Sequence, residues 1–107
     1  MPLDLSIDRE KEERFLEELR RIVLDLLNGK DCKVFLFGSR ARGDYRRSSD
    51  ADIAVEGLSE EEFKRFKRSL DELVEESFIP FTVDVVDLSR ASDSLKEVVL
   101  KEGIEWK

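Results

Sequence analysis

Hydrophobic residues along this chain fall into short blocks, and the spacing within each block names an element. Over residues 7–28, Phe15, Leu16, Leu19, Ile22, Val23, Leu26 and Leu27 recur at helical spacing while Glu, Arg and Lys fill the other positions, so the pattern predicts one long amphipathic helix. Asn28-Gly29 is its expected stop, because glycine takes the left-handed conformation that closes helices. The period then changes. Lys33 to Phe37 is almost continuously apolar and rich in β-formers, which predicts a buried strand. Residues 38–49 are polar and dense in Gly, Ser, Arg and Asp: a loop with room for one helical turn. Asp52 to Val55 reads as a second strand. Ser59 and Glu62 have the form of a capping box ahead of a second stripe, Phe63, Phe66, Leu70, Leu73 and Val74. That segment is expected to end by Ile79-Pro80, since the residue before proline avoids the helical region. Residues 81–87 predict a third strand. Residues 94–102 predict a last short helix with Leu95, Val98 and Val99 inward and Gly103 as its stop. The order is α-β-loop-β-α-β-α, an α/β (α+β) arrangement in a single domain over residues 1–107.

Composition narrows the chemistry. A chain of 107 residues supports one core and leaves no room for a second. No apolar run is long enough to span a bilayer, and the N-terminus lacks the basic-then-apolar order of a signal peptide, so a cytoplasmic location is expected. The net charge of −7 argues against holding nucleic acid by phosphate neutralisation. Cys32 is the single cysteine and there is no histidine. Ser-His-Asp and Cys-His triads, His-based zinc catalysis and Cys clusters are therefore excluded. An enzyme built from this chain must work with carboxylates, hydroxyls, Arg, Lys and a metal.

The polar segment between the first two strands holds such groups. Gly38-Ser39 directly follows a strand, where glycine allows a phosphate close to the backbone and Ser39 can cap a turn whose amides face an anion. Asp50 and Asp52 are two apart, so on a strand both carboxylates share one face while Ala51, Ile53 and Val55 share the apolar one. Two adjacent carboxylates repel, and a divalent cation with oxygen ligands, Mg²⁺ or Mn²⁺, relieves that repulsion. A third acid is available on the third strand. Asp84, mid-strand among valines, is the preferred ligand, whereas Asp87 at the strand end can be a solvated turn residue. Arg40, Arg42, Arg46 and Arg47 give the stretch from residue 39 to 52 a net +1 on an acidic chain, which suits a polyphosphate.

Gly-Ser, ten residues, then Asp-x-Asp resembles the signature of the nucleotidyltransferases of the DNA polymerase beta type. Within them, GSRARGDYRRSSDADIAV is similar to the minimal nucleotidyltransferases, VDVVDL to their third-acid strand, and LKEVVLKEGIEW to their C-terminal helix. The resemblance covers nearly all of residues 7–106. It implies a small mixed sheet with helices packed mainly on one side. It also implies roles. Gly38 and Ser39 would hold the triphosphate of ATP, with Arg42 the preferred phosphate contact. Asp50 and Asp52 would bind two Mg²⁺ ions, with Asp84 completing the second position and acting on the acceptor. The family's minimal members pair with small helical HEPN proteins, often as antitoxin and toxin, and move AMP from ATP to a tyrosine of the HEPN ribonuclease. The resemblance therefore implies a HEPN-type partner, in a hetero-oligomer or with homo-oligomers also open. Phe78 and Trp106, outside the three stripes, are candidates for that docking surface or for core edges. Transfer to a small molecule, and a non-catalytic nucleotide-binding protein, are the alternatives.

Overall fold

Asp8 opens the first helix by accepting a hydrogen bond from the Lys11 amide at 3.1 Å, and helix α1 runs Arg9–Leu26. The computed structural model describes residues 8–46 and 49–107, so Ile7, where the helix was expected to begin, lies outside the described residues. Gly29 follows with φ +80°, in the left-handed region expected of a helix stop. Strand β1 is Lys33–Phe37, and a single helical turn, α2 (Ser39–Arg42), leads out of it. Strand β2 is Ala51–Glu56, helix α3 is Glu60–Glu76 and strand β3 is Val83–Asp87. A 3₁₀ turn (Leu88–Arg90), helix α4 (Asp93–Glu102) and a two-residue strand β4 (Ile104–Glu105) complete the order. The capping box forms: the Ser59 hydroxyl accepts from the Glu62 amide, and the Glu62 carboxylate accepts from the Ser59 amide.

The four strands lie in the order β3-β2-β1-β4. β1 is antiparallel to both β2 and β4, while β2 and β3 are parallel, joined through α3 as a parallel pair requires. The sheet is mixed, as the resemblance implied. β4 is an addition to the expected order. Gly103 was expected to stop α4 and let the chain go; it does cap the helix, but at φ −72°. Its reason for being glycine is space, because a side chain there would collide with the Val99 carbonyl as the chain folds back onto β1.

Strand alternation divides the core between the two faces of the sheet. Val34, Leu36, Ala51, Ile53 and Val55 point to one face and pack with Leu19, Val23, Phe66 and Leu70 of α1 and α3. Phe35 and Ala54 point to the other, under Leu88 and Val99. Ala51, Ile53 and Val55 are fully buried as their alternation predicts, and Ala54 is buried too, because α4 covers that part of the second face. Beyond the reach of α4, the same face carries Asp52. Among the described residues no helix is long and apolar enough to cross a membrane.

Candidate active site

Because β1 runs against β2, and β3 runs with it, the end of β1 and the starts of β2 and β3 meet at one edge of the sheet. The register there pairs Phe37 with Asp52 and Asp52 with Asp84. Adjacent strands lie about 4.8 Å apart, so Asp52 and Asp84 stand side by side on the face that α1 and α3 do not cover. Asp50 immediately precedes β2, and its carboxylate accepts a hydrogen bond from the Thr82 hydroxyl. Asp87 has the opposite parity from Asp84 and lies 2.7 Å from the Arg90 guanidinium. Of the two candidate third acids, Asp84 is the one beside Asp52.

Asp52 is half-buried while Asp50 and Asp84 are exposed. Burial, then the charges of Asp84 and Asp50, push the Asp52 carboxyl above its usual range, with Arg42 opposing. A partly buried carboxyl with two further acids beside it is a donor set suited to a divalent cation. The glycine before them fits the same reading. Gly38 has φ +77° and ψ −158°, and a Cβ built on it would run into Oδ2 of Asp52, so the missing side chain makes room for that carboxylate. The three acids are brought to one corner without being closed on a point: among the described residues no three Cys, Asp or Glu side chains converge as they would around an ion.

The turn departs from expectation at Ser39, and its arginines differ in their surroundings. Ser39 does not cap α2. The N-cap is Gly38, with no side-chain cap, and Ser39 is the first helical residue. Arg42, the preferred phosphate contact, pairs with Asp44 and Glu102, each at 3.3 Å. The Asp44 hydrogen bond and charge, then Glu102, hold its pKa above the ordinary value. Arg40 is not part of a solvated basic loop. It is 4% exposed, its Nε donates to the Ser49 carbonyl at 2.9 Å, and its guanidinium lies 3.9 Å from the Phe81 ring centroid and 4.8 Å from that of Tyr45. Its ion-pair partner is Glu12 of α1, also 4% exposed, at 3.7 Å. Burial lowers the Arg40 pKa, with Glu12 opposing. A signal for Glu12 was present in the sequence, since it stands seven and eleven residues before Leu19 and Val23 on the buried stripe. Arg47 lies outside the described residues, and Arg46 is exposed.

A groove of about 350 Å³ lies behind the turn, between α1 and the β4 edge, where Arg9, Leu16, Tyr45 and Trp106 line it. It contains none of Asp50, Asp52 and Asp84. Trp106 is a core edge: it packs against the α1 side of the core, and its amide donates to the Val34 carbonyl at 2.7 Å. Phe78 is 90% exposed.

The family model described as polymerase beta, nucleotidyltransferase matches residues 25–105. The chain belongs to that family. Its similarity reaches particular members. It is 36% identical over 72 residues to a Haemophilus influenzae protein assigned as the protein adenylyltransferase MntA, a match that takes in 66% of this chain and 61% of that protein. The chain thus spans under two thirds of the length of that relative. A solved structure assigned as a minimal nucleotidyltransferase is 32% identical with a TM-score of 0.64, covering 94% of this chain and 97% of the other. A toxin–antitoxin structure with AMP-PNP is 29% identical with a TM-score of 0.64, covering 82% and 72%.

Proposed function

We propose that this chain is an Mg²⁺-dependent nucleotidyltransferase that moves AMP from ATP to a hydroxyl, most simply a tyrosine, of a small helical HEPN-type partner, acting as the antitoxin of such a pair. The observation that carries the reading is the row Gly38, Asp52, Asp84 on one exposed sheet corner, with Asp50 beside it and the Ser39 turn adjoining. Likeness to a protein adenylyltransferase and to a toxin–antitoxin complex holding an ATP analogue supports the choice of nucleotide and of a protein acceptor.

Asp50, Asp52 and Asp84 would hold two Mg²⁺ ions. When bound, these supply the positive charge that lowers the pKa of the acceptor hydroxyl and neutralises the departing pyrophosphate. The chain's own residues do the positioning. The Ser39 turn presents its amides and hydroxyl to the triphosphate tail. Arg42 exchanges Glu102 and Asp44 for phosphate oxygens, a move its half-exposed side chain permits. Asp84, exposed on the open face, orients the acceptor. The acceptor oxygen then gives up its proton to water and bonds to the α-phosphorus as the bond to pyrophosphate breaks. No histidine base is needed, in keeping with the composition.

Intact mass spectrometry of a HEPN-type protein from the same genome, incubated with this chain, Mg²⁺ and each nucleoside triphosphate, tests the reading. Mass gains of whole AMP units with ATP, absent with Asp50→Ala, are expected. A stable complex with no adduct from any nucleotide would replace transfer with neutralisation by binding.

A further inference from the structure

Three segments far apart in sequence must be held in one arrangement for the proposed transfer: the Ser39 turn, the residues entering β2 and the residues entering β3. Ladder pairing begins only at Ala51 and Val83. Ser49, Asp50 and Phe81 stand ahead of it, and the acids they lead into repel one another.

We propose that Arg40 is a positioning residue for nucleotidyl transfer, its buried guanidinium pinning these three segments to each other from behind the site. The inference rests on the function proposed above. Arg40 is bonded in sequence to Ser39. Its Nε holds the carbonyl of Ser49, the residue before Asp50, and its flat face covers Phe81, three residues before Asp84. Tyr45 lies near the same cation, and Glu12 supplies the countercharge from α1. One planar group therefore touches the flank of every candidate segment, with the charge of Asp50 also acting on it. Arginine alone suits this work, since its rigid fork can serve an acceptor in its plane and an aromatic ring on its face together. Lysine's compact ammonium cannot do both. Reacting groups must sit within about half an ångström of their productive places, so loosening these contacts costs rate before it costs fold.

Two variants test this. In Glu12→Met/Arg40→Met the ion pair becomes apolar volume, a replacement that often preserves or raises stability. Arg40→Lys keeps the charge, and carries the test by itself if the double variant does not fold. Each is assayed beside the parent, with the partner, Mg²⁺ and ATP, at a temperature where circular dichroism shows all chains folded. The expected result is a kcat lower by on the order of 10–100-fold with a smaller change in KM for ATP. A second readout needs no activity. Amide hydrogen exchange at Ala41, Arg42, Gly43 and Ala51, all hydrogen-bonded in the parent, should quicken about tenfold or more while Leu19, Val23 and Leu70 stay as protected as before. Parent-like kcat and exchange in either folded variant would overturn the proposal, and so would equal acceleration at the core amides, which marks a merely structural role. A parent that transfers nothing overturns the function proposed above instead, and the exchange result still decides whether Arg40 pins these segments.

Discussion

Replacing Gly38 by alanine asks why a glycine precedes Ser39. Two costs are expected. The backbone stands at φ +77°, ψ −158°, a region left essentially to glycine, and holding alanine there costs about 1–3 kcal/mol. The new Cβ would also overlap Oδ2 of Asp52 and lie 3.3 Å from its Cγ, so the carboxylate must swing away. A double-mutant cycle separates the two. In an Asp52→Ala background the overlapping atoms are gone and only Cβ of residue 52 remains, at the ordinary contact distance of 3.5 Å. Gly38→Ala should therefore cost more in the parent than in that background, by a coupling of about 0.5–3 kcal/mol. At about 4–8 °C per kcal/mol for a domain near this size, the parent should lose on the order of 10 °C in Tm. Displacing Asp52 on the order of 1 Å should cost about 100-fold in transfer rate, and Mn²⁺ affinity measured by calorimetry should fall with it. Gly29→Ala is the control, since its φ is +80° and nothing lies within 4 Å of the added Cβ: strain without collision, and unchanged metal binding. Equal costs of Gly38→Ala in both backgrounds, with metal affinity intact, would refute the claim that the glycine makes room for Asp52.

Other substitutions bear on the same frame. Asp52→Asn should match or exceed the parent's Tm without metal, because it removes a charge that burial, Asp84 and Asp50 all disfavour. It should also lose the Tm rise that Mn²⁺ produces in the parent, and a retained rise would reject Asp52 as a ligand. Ser39→Ala should weaken ATP binding by about 1–2 kcal/mol, roughly tenfold, as for a hydrogen bond to a charged group, read by titration calorimetry. Glu62 is pulled down to about 2 by the Lys30 ammonium, 2.8 Å away, and by the Ser59 amide. A carboxyl with a lowered folded-state pKa stabilises above its ordinary value of 4.5, and that stability is lost as pH falls toward 2. Glu62→Gln keeps the capping geometry but not the charge, so its Tm deficit at pH 7 should shrink across that interval, and a deficit constant with pH would assign it to packing.

Much of the fold was legible because periodicity reports which side of an element meets the core. The stripe of α1, the alternation of Ala51, Ile53 and Val55, and the Ser59–Glu62 box are local patterns that appear as their spacing predicts, and the α3 stripe does so except at Leu73, which sits at its margin and is exposed. β4 was not legible, since two residues carry no period; its pairing depends on β1 being a neighbour. That Asp50 and Asp52 share a strand face was readable from their spacing, and parity placed Asp84, and not Asp87, beside Asp52 once the partner strand was known.

What the sequence alone determined here is the set of local preferences: where helices start and stop, which strand face is apolar, and that the chemistry must be that of carboxylates without histidine. The tertiary structure decided how equal-looking charges divide their work. Arg40 and Arg42 are two residues apart in one arginine-rich run, yet one is sealed against Phe81 and Glu12 while the other lies open to Asp44 and Glu102. Local sequence assigns both to a polar loop. Only the packing of α1 and the strand edges around the turn encloses one guanidinium, and a charge so enclosed is held only where a countercharge, an acceptor and an aromatic face meet it, partners that come from residues 12, 49 and 81.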